Sequence, residues 1–369
     1  MTNKKIVITG THLTPALAII SELKKREDWQ IYYLGRKYTL EGDKTPSPES
    51  QTLPPMGIKF IPIPAGRLQR KLTRWTIPSL IRIPLGIIYA FWYLLKIRPN
   101  LVCSFGGYVS VPVVFAAWLL GIPSLTHEQT VVVGLANKIN ALFANKVAIS
   151  FPDSAQFFPK NKVILTGNPL RQEIFTVDKP LFSLPKNRKT IYITGGSQGA
   201  SVINQVVLEA LPKLIKNYNI IHQCGGKEFP KISQKRQTLP LKWQENYFLT
   251  KYIDSKYIGW VFKNASLVVS RGGANTVLEL AALGKPTIII PIPWATHNEQ
   301  LKNAKFLTSR GLAEILSQSK LNGRTLFQKI QKMIAHLNSY KKAGEKIKKE
   351  INKRSSKSLV NTLYDLLPS

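Results

Sequence analysis

Apolar and polar positions along the chain repeat one plan: a short buried strand, a glycine-bearing turn, an amphipathic helix. The fullest copy runs over residues 267–300, LVVSRGGANTVLELAALGKPTIIIPIPWATHNEQ. Leu267, Val268 and Val269 form an apolar run that stops at Ser270-Arg271. Gly272 and Gly273 let the backbone turn with no Cβ in the way. Beyond Ala274, the apolar Val277, Leu278, Leu280, Ala281 and Ala282 crowd one side of a short helix, which Gly284 and Pro286 end. Thr287 to Ile290 is a second buried strand. Such a turn aims unpaired backbone N–H groups and the positive end of a helix dipole at one point, a ready phosphate site. Glu279, a carboxylate in apolar company, can accept hydrogen bonds from both hydroxyls of a ribose. Taken alone, the pattern equally describes a βα turn that binds nothing.

Residues 5–23 (KIVITGTHLTPALAIISEL) and 190–214 (TIYITGGSQGASVINQVVLEALPKL) repeat the plan. The wide separation predicts two α/β domains, each opening on its own loop-to-helix turn, with ligands bound in a cleft between them. Further strands are expected at Leu101 to Ser104, Ser124 to Thr126, Val147 to Ser150, Val163 to Thr166, Ile220 to Gln223 and Tyr247 to Ile253. His12 stands at the carboxyl end of the first strand, where it could act as a general base or merely hydrogen-bond its loop. His127-Glu128-Gln129 follows another strand, and Arg171 sits at the crossing between domains, reaching a ligand or solvated. Residues 39–57 read as a mobile surface loop.

Residues 67–99 break the pattern. Arg67, Arg70, Lys71 and Arg74 lie beside Trp75, and an apolar run from Ile83 to Leu95 follows Arg82. A bilayer span needs roughly 20 apolar residues; this run is shorter, and Arg82 and Pro84 interrupt its upstream extension. It predicts an interior helix, or a patch that dips into a membrane surface with Trp75, Trp92 and Tyr93 at the interface and cations on anionic headgroups. The apolar run argues against nucleic acid as the partner of these cations.

Charge sharpens this picture. The 369 residues carry 52 Lys+Arg against 20 Asp+Glu, formally +32, which favours anionic partners. Cys103 and Cys224 form no C-x-x-C and no metal-ligand spacing, which fits a reduced cytosolic setting, and no secretory signal is expected. Among the C-terminal helices, Leu359, Leu363 and Leu366 form a stripe expected to dock on the first domain.

Six segments, in order, carry a resemblance: Thr9-Gly10-Thr11-His12-Leu13-Thr14-Pro15, Phe105-Gly106-Gly107-Tyr108-Val109-Ser110, His127-Glu128-Gln129, Gly167-Asn168-Pro169-Leu170-Arg171, Gly195-Gly196-Ser197-Gln198-Gly199 and Ser270-Arg271-Gly272-Gly273-Ala274. Over nearly its full length the chain resembles the MurG family, the peptidoglycan N-acetylglucosaminyltransferases. The resemblance implies a GT-B architecture: two Rossmann-like, doubly wound α/β domains facing across a cleft. Residues 1–166 would be the acceptor and membrane-associating domain, with 336–369 packing back on it; 167–189 a linker; and 190–335 the domain that binds UDP-N-acetylglucosamine (UDP-GlcNAc). By position, Ala274, Asn275, Thr276, Val277, Leu278 and Glu279 would hold the diphosphate and ribose. Ile253 would bond uracil through its backbone, Ser197 and Arg171 would lie near phosphate, and Gln300 would read sugar hydroxyls. Thr9, Gly10, Thr11 and Thr130 would line the substrate site near the reacting centre, with His12 as first choice of base and Glu128 as second. Arg70, Lys71, Arg74, Trp75 and Trp92 would meet the membrane. Three positions depart from the family pattern: Thr11 replaces a second glycine, Thr130 replaces the Asn after H-E-Q, and Glu299 stands where Gln is common.

The implied reaction is an inverting transfer of GlcNAc to the 4-hydroxyl of an undecaprenyl-pyrophosphoryl-linked acceptor, by a peripheral protein on the cytoplasmic face of the membrane. No D-x-D occurs, so no metal or other cofactor is expected to be required. A related transferase acting on another lipid, or a non-catalytic protein that binds nucleotide sugars or membrane, remains open at this level.

Overall fold

The computed structural model describes residues 4–26, 29–38, 45–66, 76–177, 179–196, 199–295 and 298–367. The chain forms two compact units, Met1–Arg171 with Asn352–Ser369, and Gln172–Ile351. Each is built on one parallel sheet.

In the first unit the strands are β1 (Lys4–Gly10), β2 (Trp29–Gly35), β3 (Lys59–Pro62), β4 (Leu101–Phe105), β5 (Ser124–Glu128), β6 (Lys146–Ile149) and β7 (Val163–Leu165). Their order is β3-β2-β1-β4-β5-β6-β7. In the second unit β8 (Lys189–Thr194), β9 (Tyr218–Gln223), β10 (Tyr247–Thr250), β11 (Ala265–Ser270), β12 (Thr287–Ile289) and β13 (Ala313–Ile315) lie in the order β10-β9-β8-β11-β12-β13. Both are doubly wound sheets whose order reverses beside the first strand, and ligands of such sheets bind outside the carboxyl ends at that switch point. The switch falls between β1 and β4 in one unit and between β8 and β11 in the other.

Successive residues of β1 serve opposite faces. Ile6 and Ile8 pack with Ile19, Ile20 and Leu23 of the helix Leu13–Lys25 and with Leu359, Val360 and Leu363 of the helix Ser355–Tyr364. Val7 packs on the other face with Ala90, Leu94 and Ile97 of the helix Thr76–Ile97 and Val113 of the helix Ser110–Leu119. In the second unit Ile191 and Ile193 of β8 pack on the helices Ser201–Leu214 and Gly323–Ala335.

Several elements differ from the sequence reading. β5 continues through Glu128, so His127 and Glu128 are buried strand residues rather than loop residues. The helix Thr76–Ile97 runs through Arg82 and Pro84. An interior proline loses one backbone hydrogen bond, a local cost that the burial of Ala90, Leu94 and Ile97 offsets. Of the expected mobile loop 39–57, residues 39–44 lie outside the described residues, while Pro48–Thr52 is a short helix. Ser47 caps it by accepting the Ser50 N–H at 3.2 Å.

The domain boundaries also differ. Residues 172–177 belong to the second unit, where a Cβ on Gly259 would collide with the carbonyls of Glu173 and Thr176. The helix Leu337–Glu350 stays there too, its Gly344 pressed against Gly284 of the turn after the helix Ala274–Leu283. Only the chain from Asn352 returns to the first unit, fastened by Asn352 Nδ2 donating to the Thr166 carbonyl at 2.9 Å.

Candidate functional site

The residues singled out by the sequence fall into two groups, one in each unit. In the first unit Gly10 ends β1 with φ +136°, and any Cβ there would meet the Phe105 and Gly106 backbone at 2.8–2.9 Å. The Thr11 N–H donates to the Gly106 carbonyl at 3.0 Å. The Thr11 side chain fills the space over Gly107, where a Cβ would collide with it. The first and second loops of the unit are therefore interlocked, and the Thr11 departure is accommodated by a glycine facing it. Thr9 is fully buried.

His12 precedes the helix Leu13–Lys25. Burial, and then the nearby Arg36 guanidinium, lower its pKa to about 4, so at neutral pH the imidazole is uncharged and able to accept a proton. Arg36 is oriented by the fully buried Glu49, whose Oε1 accepts from Nε at 2.9 Å. His127 is also kept neutral by burial, at about 4, with Nε2 3.2 Å from the Gly167 carbonyl.

Glu128 is 3% exposed. Its Oε1 accepts the Thr130 N–H at 2.9 Å and lies 2.8 Å from the Thr130 hydroxyl. Its Oε2 accepts from the Gly134 N–H at 3.1 Å and Asn137 Nδ2 at 3.0 Å. The Thr130 hydroxyl is also 2.6 Å from the Val132 carbonyl, so its single proton serves its own loop. Arg171 is the last residue of the first unit.

In the second unit, Gly196 and Gly199 adopt φ +90° and +77° after β8, and a Cβ on Gly199 would collide with the Cys224 carbonyl. Ser197 lies outside the described residues. After β11 the helix Ala274–Leu283 starts with no side-chain cap and no acidic residue in its first turn, so the positive end of its dipole stands at Ala274, Asn275 and Thr276. Val277, Leu278 and Glu279 are buried, Glu279 at 3% exposure. Gly284 closes the helix in the left-handed conformation.

Two side chains of the helix Glu299–Thr308 grip the turn before that N-terminus. Gln300 Oε1 accepts the N–H of Gly272 at 3.2 Å and of Ile292 at 3.1 Å. Asn303 Nδ2 donates to the Gly272 carbonyl at 3.1 Å. Arg271 braces the same turn, with Nη1 donating to the Ile290 carbonyl at 3.0 Å and to Gln318 Oε1 at 2.9 Å. Ile253 is buried just beyond β10.

The glycosyltransferase family 28 N-terminal domain matches residues 7–149, and the C-terminal domain of that family matches residues 190–360. A protein of Bacillus cytotoxicus named UDP-N-acetylglucosamine–N-acetylmuramyl-(pentapeptide) pyrophosphoryl-undecaprenol N-acetylglucosamine transferase is 35% identical over 334 residues, 88% of each chain. The chain belongs to glycosyltransferase family 28. A Clostridium tetani protein of the same name is 30% identical over 99% of this chain and 97% of its own. The crystal structure of Acinetobacter baumannii MurG aligns with a TM-score of 0.73 and 25% identity, covering 98% of this chain and 99% of the other. Within this family 28 chain, the glycine loops at the two switch points are the ones the sequence motifs marked.

Residues the motif reading missed are Arg36, Glu49, Asn137, Asn140 and Asn303. A signal for the asparagines was present: Asn137 and Asn140 interrupt an apolar stretch at helical spacing, and Asn303 follows Gln300 by three. Nothing local distinguished Arg36 and Glu49.

For the membrane patch, Arg70, Lys71, Arg74 and Trp75 lie outside the described residues. Trp92 is exposed and continues a stripe with Ile81, Leu85, Ile88 and Leu95 along the outer side of the helix Thr76–Ile97. Among the described residues no helix is long and apolar enough to cross a membrane.

Proposed function

We infer that this family 28 enzyme transfers N-acetylglucosamine from UDP-GlcNAc to the 4-hydroxyl of N-acetylmuramoyl-(pentapeptide)-pyrophosphoryl-undecaprenol, a step of peptidoglycan synthesis that serves cell shape and division. The observation that carries this reading is the likeness to transferases of that name across both units, 30% identity over 99% of the chain in one case.

In this reaction the acceptor oxygen forms a bond to C1 of the sugar from the face opposite UDP. The C1–O bond to the diphosphate breaks, and UDP leaves with the electron pair. His12, neutral through burial, takes the acceptor proton. The N–H groups at Ala274, Asn275 and Thr276, with Ser197 and Arg171, meet the charge growing on the leaving diphosphate. That supply of donors, in a chain without D-x-D, supports a reaction that needs no divalent cation. Glu279 accepts from the ribose hydroxyls and the Ile253 backbone pairs with uracil. Gln300, its carbonyl oxygen already engaged by Gly272 and Ile292, turns its amide toward a sugar hydroxyl.

The exposed stripe Ile81, Leu85, Ile88, Trp92 and Leu95, with the cations Arg70, Lys71 and Arg74 and with Trp75 upstream in sequence, supports peripheral binding to the anionic cytoplasmic leaflet, where the lipid acceptor resides.

The test is UDP release from UDP-GlcNAc with and without a short-chain acceptor lipid, metal chelated. Acceptor-dependent release with a disaccharide product, surviving chelation, is expected. Donor binding without turnover would overturn the acceptor assignment; loss of turnover on chelation would overturn metal independence.

A further inference from the structure

We propose that Glu128 and Asn137 are positioning residues: together they anchor the loops that follow β4 and β5, and Glu128 does not take the acceptor proton. This rests on the transferase reading for its kinetic consequence, but its geometry stands apart from it.

A carboxylate has about four lone-pair sites. Three of those of Glu128 face donors of its own neighbourhood, two backbone N–H groups and the Asn137 amide, and the Thr130 hydroxyl, its one proton shared with the Val132 carbonyl, lies against Oε1. A general base needs a lone pair within hydrogen-bond reach of the proton it removes. Glu128 would first have to leave two buried N–H groups and an amide without an acceptor, which is costly in a low-dielectric interior.

Asn137 carries the anchor onward. Its Nδ2 also donates to the His127 carbonyl at 3.1 Å, and its Oδ1 accepts from Thr126 Oγ1 at 2.9 Å. It presses on Gly106 so closely that a Cβ there would lie 2.8 Å from Nδ2. Behind it, Asn140 Nδ2 donates to Ser110 Oγ at 2.8 Å and to Ser104 Oγ at 3.2 Å, and the Gly106 N–H donates to Ser104 Oγ at 3.1 Å. Gly106 in turn accepts the Thr11 N–H, one residue before His12. A disturbance at Glu128 or Asn137 therefore reaches His12 through Gly106 and Thr11. Thr130 belongs to the same device, as its hydroxyl lies against the carboxylate; in this chain it is a loop brace rather than a sugar contact.

Glu128→Gln, Asn137→Ala and the double variant test this in the full-length protein. Glu128→Gln is isosteric but sets an amide N–H₂ against existing donors. Each single variant is expected to lower kcat for GlcNAc transfer by about 100-fold, the scale of a misplaced reacting group. The double variant should fall no further than the worse single one, because both break one network. The acid limb of kcat/KM should keep its wild-type position. Amide exchange at Thr130 and Gly134 should rise about tenfold or more in Glu128→Gln, because those N–H groups lose a charged acceptor. An acid limb abolished in Glu128→Gln, turnover restored by added formate, or additive losses in the double variant would overturn the proposal in favour of a catalytic base. So would unchanged amide exchange in Glu128→Gln, a readout that needs neither turnover nor the Asn137 variants. If the wild-type protein transfers no GlcNAc, the functional reading fails while amide exchange still reads the anchor.

Discussion

Gln300 and Gly272 are joined by a hydrogen bond from the Gly272 N–H to Gln300 Oε1, 3.2 Å long, which fixes the turn leading into the N-terminus of the helix Ala274–Leu283. Asn303 holds the carbonyl of the same glycine. Asn303→Ala is expected to loosen this turn and raise KM for UDP-GlcNAc by about tenfold, the equivalent of one to two buried hydrogen bonds. Glu279→Ala should weaken the donor by about 10–100-fold, on the scale of hydrogen bonds to a charged group. Isothermal titration with UDP checks both, and unchanged affinity in either variant would remove that residue from the donor site.

Histidine burial predicts the acid response. His127 in the first unit and His222 in the second have folded pKa values of about 4 and about 3, below the usual 6.5, mainly because burial disfavours the cation. A depressed histidine pKa means that the unfolded chain binds the proton first. Stability from these groups is therefore complete above pH 6.5 and is lost as pH falls toward 4, by about 1.4 kcal/mol per pH unit for each histidine. Urea unfolding at pH 7, 6 and 5 measures it; a flat profile would mean that the folded protein tolerates the imidazolium. For catalysis by neutral His12, the acid limb of kcat/KM should sit near 4 rather than 6.5.

Gly107 has φ +81° and faces the Thr11 side chain. Gly107→Ala should therefore cost about 1–3 kcal/mol from backbone strain, plus overpacking. Adding Thr11→Gly should recover the overpacking part and leave the strain. Thermal melts of the single and double variants would show no recovery if the two loops were not interlocked.

Replacing Ile88 and Trp92 with aspartate removes apolar contact from the middle of the exposed stripe and adds charge that an anionic surface repels. Co-sedimentation with phosphatidylglycerol vesicles should fall about tenfold or more. Equal sedimentation of variant and wild type would move the membrane contact elsewhere.

The sequence by itself determined the class of fold and where the loops would lie. Parallel strands buried on both faces need continuous apolar runs, such as those of residues 6–8, 191–193 and 267–269, and glycine turns leave a signature because no other residue fits. It likewise marked Leu359 and Leu363 as a docking stripe, because the spacing of apolar residues on a helix is local information. Tertiary structure alone decided where the chain returns to the first unit, and that the helix Leu337–Glu350 stays behind against Gly284, because a close glycine–glycine approach depends on a partner more than 50 residues away. It decided also that Glu128 is turned inward. A carboxylate beside a histidine reads as chemistry in one dimension; only the folded positions of Thr130, Gly134 and Asn137 show which donors surround it. Buried polar groups must find partners wherever the fold supplies them, and those partners are set by packing rather than by spacing along the chain.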